Sequence, residues 1–140
     1  MPTWIIYAIL SAVFAGVTSI LAKYGLENVN PDLGLGIRTA TIFFIITTIN
    51  FIGSKYKGIA LLTFKETSLL ILSGLATTLS WLFYYRAMKD GLVSYVAAID
   101  KASIVITIVL AFILFKEPVN SKILIGAGLI FAGMLVLVWK

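Results

Sequence analysis

The sequence predicts an all-α integral membrane protein with five transmembrane helices. Three observations carry that prediction. The hydrophobic fraction is 61% of 140 residues, well above the roughly 45–50% apolar content of soluble domains. The charges are clustered, leaving uncharged runs at 2–22, 39–54, 67–85, 102–115 and 118–139. A helix crossing a bilayer needs about 20 mostly apolar residues, and these runs are continuous. The alternating segments of roughly ten residues that mark a membrane barrel do not occur in them.

The first span is placed at residues 3–22. Its run lacks the basic leader and short apolar core of a signal peptide, so it reads as a permanent span. Tyr7, Ser11 and Thr18 share one face, and Ala8, Ala12 and Gly16 recur every fourth position, which suits close helix contact. The second span, 33–52, follows "GLENVNPDLG", where Asn30, Pro31 and Gly34 interrupt regular structure. Arg38 lies one turn into it and reads as an anchor at the headgroups rather than a ligand contact. The third span, 67–88, carries a polar stripe of Ser73, Thr77, Ser80 and Tyr84, flanked by Trp81 and Tyr85. Two readings stay open for its rings. They line a solute cavity, with Trp81 the deeper candidate, or they join Arg86 in an interfacial aromatic belt.

The fourth span, 92–115, holds Asp100 and Lys101 at the head of a run without further charge. Counted from Leu92, Lys101 lies about 14 Å along the helix, near the middle of a hydrocarbon core about 30 Å thick. A charge at that depth costs roughly 2.5–3.5 kcal/mol and usually faces a bundle interior or a wet cavity. Neighbouring helical positions do not face each other, so no direct Asp100–Lys101 pair is expected. Three readings compete: Lys101 snorkels to the interface, it pairs with another helix, or the two line a transport cavity. Ser103 and Thr107 continue from Asp100 at helical spacing, which favours the cavity. The fifth span, 121–139, follows "KEPVNS" and carries Gly126, Gly128, Ala132 and Gly133 without a charge, as a packing or dimerisation helix would.

Several function classes fall away. The net charge of +5 comes from basic residues at span ends, not from a stripe interleaved with aromatics, so no nucleic-acid partner is expected. Without Cys or His there is no disulfide framework, zinc site or histidine proton relay, and no metal or cofactor is expected. Gly34-x-Gly36 and Gly126-x-Gly128 are incomplete dinucleotide patterns, and no P-loop is present. An enzyme is not expected.

The basic residues are nearly balanced between the two faces implied by five alternating spans. Lys55, Lys57, Lys65, Lys116 and Lys122 stand on one; Lys23, Arg86, Lys89, Lys140 and, if counted, Arg38 stand on the other. Orientation normally follows such a bias; with almost none, either one orientation is fixed by factors other than this count or the chain inserts both ways up.

The segments "LAKYGLENVNPDLGLGIRT", "WLFYYRAMKDGLVSYVAAIDKAS" and "FKEPVNSKILIGAGLIFAGMLVL" together resemble the EamA family of the drug/metabolite transporter superfamily. The resemblance implies a single five-helix domain over 1–140 that is one half of a ten-helix inverted-repeat transporter fold. It also implies movement of small organic metabolites through a central cavity shared by two halves. Inverted repeats build a midplane site at their interface, and a half-size chain finds its second repeat only in another copy. The expectation is therefore an antiparallel, dual-topology homodimer in the plasma membrane of a prokaryote, working by alternating access. The cavity candidates are Asp100, Lys101, Ser103, Thr107, Trp81, Thr77, Tyr84, Tyr85, Ser11 and Tyr7. Its partners are the lipid bilayer, a small-molecule substrate and the second copy. The first span has no carboxylate, so the cation/proton exchange of the small multidrug branch is not carried over. A non-transporting accessory subunit and a flippase for a lipid-linked sugar are the alternatives.

Overall fold

The structure, a computed structural model, describes residues 2–118 and 120–139. Lys140, counted above among the basic residues, lies outside them. Among the described residues the regular structure is helical throughout: α1 (Thr3–Gly25), α2 (Pro31–Ile52), a 3₁₀ helix (Lys55–Leu61), α3 (Phe64–Asp90), α4 (Val93–Asp100), α5 (Ser103–Phe115) and α6 (Ser121–Val138). Five stretches are long and apolar enough to cross a membrane, with α4 and α5 together forming the fourth, Val93–Phe115. This is an all-helical integral membrane protein with five spans.

Four helix ends, the C-termini of α1 and α3 and the N-termini of α2 and α3, lie outside the predicted bounds, because charged residues end an apolar run without ending a helix. Asn30 caps α2, its Oδ1 accepting from the Asp32 and Leu33 N–H groups, and Pro31 takes the first helical position, where its missing N–H costs nothing. Thr63 and Glu66 form a reciprocal cap on α3. The Thr63 N–H and Oγ1 donate to Glu66 Oε2 at 2.8 and 2.7 Å, and the Glu66 N–H donates to Thr63 Oγ1 at 3.3 Å. Asn120 starts α6 by accepting from the Ile123 N–H. α5 stops at Lys116, which adopts the left-handed conformation (φ 53°, ψ 34°), with Pro118 just beyond.

The chain divides into two compact units, residues 20–90 and residues 1–19 with 91–140. In the 20–90 unit α2 packs along α3. The buried hydrophobic residues lie there: Leu26, Leu35, Tyr85 and Met88, from 0 to 6% exposed. Gly34 lets the turn after α1 close over α2. A Cβ at that position would come within 2.6 Å of the buried Leu26 side chain. In the other unit α6 packs against α4 and α5. In four of the five spans the most apolar stretch contains no buried residue. Such a surface is stable only against lipid or another protein.

The fourth span departs from prediction. It is not one helix over 92–115 but two, separated by a turn at Lys101 and Ala102. The Lys101 N–H turns to Ala98 O, the Ala102 N–H to Ile99 O, the Ile104 N–H to Lys101 O and the Val105 N–H to Ala102 O. These are i→i+3 bonds in place of i→i+4. The ψ values of −12° at Lys101 and −22° at Ala102 are those of a 3₁₀ turn.

Candidate functional site

The predicted site residues are divided between the two units. Tyr7, Ser11, Asp100, Lys101, Ser103 and Thr107 belong to one, and Thr77, Trp81, Tyr84 and Tyr85 to the other. Each group is described within its own unit.

In the first group the interrupted helix sets the geometry. Lys101 Nζ lies 3.3 Å from Asp100 Oδ2, and both side chains remain partly exposed. This corrects the expectation that the two do not pair. That expectation assumed unbroken helical geometry, whereas the 3₁₀ turn between α4 and α5 lets adjacent side chains converge. Beyond the turn, Thr107 Oγ1 donates to Ser103 O at 3.0 Å. Its proton is thus returned to its own helix while the oxygen keeps acceptor capacity. Tyr7 and Ser11 stand exposed on α1.

In the 20–90 unit the structure gathers Trp81 and Tyr85 around a residue that the sequence reading assigned to headgroup anchoring. The Arg38 Cζ sits 4.3 Å from the Trp81 ring centroid and 5.6 Å from that of Tyr85. Tyr85 is buried and Trp81 half-buried, so Tyr85 is an inward-facing ring rather than part of a surface belt. Thr77, one turn before Trp81, donates its hydroxyl to Ser73 O. Tyr84 is half-buried beside them in sequence. Arg38 shows no sequence signature beyond its depth in a span; only the face it occupies brings it to the rings.

The same unit is tied together at one end by polar contacts. Lys23 Nζ donates to Met88 O and Lys89 O at 2.8 and 3.0 Å, while Lys89 Nζ donates to Leu26 O and Glu27 O at 2.6 and 2.9 Å. Lys23 thus caps the C-terminal carbonyls of α3, where backbone dipoles favour a cation, and Lys89 holds the carbonyls of the turn that follows α1. A half-open cleft of about 320 Å³ lies among Lys23, Tyr24, Leu26, Glu27 and Lys89. Arg86 grips Asp32 through two parallel bonds, Nε to Oδ1 at 3.0 Å and an Nη to Oδ2 at 2.9 Å, the forked geometry of a guanidinium–carboxylate pair. Among the described residues no His/Cys/Asp/Glu group is arranged to hold a metal ion.

Five apolar spans, one interrupted at its charged residues, define a multi-pass membrane protein. The EamA-like transporter family model matches residues 2–139, and the chain belongs to that family. It is 36% identical over 135 residues to a Sinorhizobium protein described as an uncharacterised transporter of the cobO 3′ region, covering 96% of both chains. It is 31% identical over 137 residues to an uncharacterised protein of Methanocaldococcus jannaschii, covering 98% of this chain and 97% of that one. No solved structure gives a significant match.

Proposed function

We propose that the protein moves small organic metabolites across the plasma membrane of a prokaryote by alternating access, as an antiparallel homodimer of half-size subunits. The observation that carries this reading is the break in the fourth span at Asp100, Lys101 and Ala102. Irregular backbone at membrane depth is tolerated where it is enclosed by protein or lines a wet cavity. Discontinuous helices at the bilayer midplane are also how secondary transporters build solute sites. An adjacent acid and base there cost stability, which a passive scaffold has no reason to incur. The break therefore supports a solute path over an accessory subunit.

The dimer is supported by two further features. The near-balanced Lys and Arg count suits insertion in both orientations. On α6, a Cβ added at Gly126, Gly128 or Gly133 would meet nothing within 4 Å, so those small residues serve no packing inside their own unit.

Reconstituted vesicles test the path, and single cysteines test the orientation. Lys101→Met and Asp100→Asn are each expected to abolish flux without dissolving the dimer. Undiminished flux in both would remove the pair from the pathway. Cysteines placed at Lys55 and at Asp90, in a chain that has none of its own, should each react from both sides of the membrane. Labelling of each from one side only would exclude the antiparallel arrangement.

A further inference from the structure

We infer that Arg38, held on Trp81 and Tyr85, is a binding site for the carboxylate of a small organic anion. The inference rests on the transporter reading for its role in flux but not for binding itself.

The first argument is the unused capacity of the guanidinium. Arginine carries five N–H donors in a fixed fork that matches a carboxylate edge. The 20–90 unit holds two arginines, Arg38 and Arg86. Arg86 takes Asp32 with both prongs. Arg38 has only the two rings, and among the described residues no acceptor lies within hydrogen-bonding distance of it. The rings attract its charge but satisfy none of its donors. Arg38 remains partly exposed, and its N–H donors are left for a ligand to satisfy.

The second argument is depth. Arg38 lies seven residues beyond Pro31, about 10 Å along α2. The polar end of this unit is marked by the Asp32–Arg86 pair and the two lysines. The guanidinium is held on Trp81, 4.3 Å from its ring centroid. Trp81 stands nine residues before the α3 terminus at Asp90, about 13 Å along that helix.

The third argument is preorganisation. Tyr85 is 4% exposed and therefore fixed, and the two rings together restrict a side chain that otherwise has many rotamers. A cation immobilised before its ligand arrives loses less entropy on binding. Lysine, a point charge without the fork, would not replace it.

The test uses purified protein in phosphatidylcholine nanodiscs, with benzoate, pyruvate and succinate as probes, each beside its neutral amide. At least one carboxylate is expected to raise the melting temperature while its amide does not, because only a ligand of the folded state stabilises it. Arg38→Gln should remove that response, and Arg38→Lys should weaken binding roughly tenfold or more. If Arg38→Gln does not fold, a Trp4→Phe, Trp139→Phe chain leaves Trp81 as the single indole, and its emission should shift with the carboxylate alone. The inference fails if no carboxylate stabilises the protein or if Arg38→Gln responds like the parent. It also fails if stabilisation comes only from phosphatidylglycerol added to the disc, which would make Arg38 a lipid anchor. Arg38-dependent binding without flux would refute the transporter reading and leave this site standing. Carboxylate flux unchanged in Arg38→Gln would do the opposite.

Discussion

Lys89→Met is the sharpest probe of what holds the 20–90 unit together. The change keeps most of the aliphatic stem and deletes the ammonium shared by Leu26 O and Glu27 O. A hydrogen bond from a charged donor contributes about 1.5–3 kcal/mol. Lys89 is half-buried, and water can reach part of what it leaves behind, so about 2 kcal/mol in all is the expected loss rather than two full bonds. Unfolding entropy near 2.1 cal/mol/K per residue gives about 0.3 kcal/mol/K for a chain of this length, and hence a melting temperature about 7 °C lower. Lys23→Met should cost a similar amount by freeing Met88 O and Lys89 O. Both lysines join the same two helix ends, so the double variant should lose about 1 kcal/mol less than the sum of the singles. Thermal unfolding of the purified protein in one detergent measures all three. Single variants within 1–2 °C of the parent (on the scale of roughly 3 °C per kcal/mol), or strictly additive losses, would refute this reciprocal tie.

Exchanging the charges of the Arg86–Asp32 pair tests it independently. Asp32→Arg and Arg86→Asp should each lower the melting temperature. Together they should recover part of it, but not all, because arginine at position 32 faces the positive end of the α2 dipole. Gly34→Ala should destabilise by about 1–3 kcal/mol, since the new methyl group meets the buried Leu26. Gly36→Ala meets nothing within the subunit and should be neutral or stabilising by up to about 1 kcal/mol. A destabilising Gly36→Ala, read by the same thermal assay, would mean that something outside the 20–90 unit packs against that face.

The spans were readable from the sequence because insertion into lipid depends on the spacing of charges, and those positions are explicit. The helix ends were less so. "TFKE" at 63–66 is a capping box that an apolar-run criterion passes over, and Asn30-Pro31 is both a breaker and a start signal. The turn at Lys101 and Ala102 left no trace, since "AAIDKASIV" contains neither Gly nor Pro. Among the site residues, Trp81 and Tyr85 stood out through composition. Arg38 did not, because its meaning depends on which face of α2 meets α3. The contacts of Lys23 with the end of α3 bridge more than sixty residues, and no local pattern encodes such a partner.

The turn in the fourth span also bears on the membrane itself. α4 has 8 residues and α5 has 13, or about 12 and 20 Å of helix. Neither piece alone crosses a hydrocarbon layer about 30 Å thick. A rigid rod meets a thinner or thicker bilayer by tilting as a whole; a jointed one can bend instead, changing the angle at residues 101 and 102. The acid and the base sit on that joint. A change in bilayer thickness taken up at that joint would reach the acid and the base before any other charge in the span.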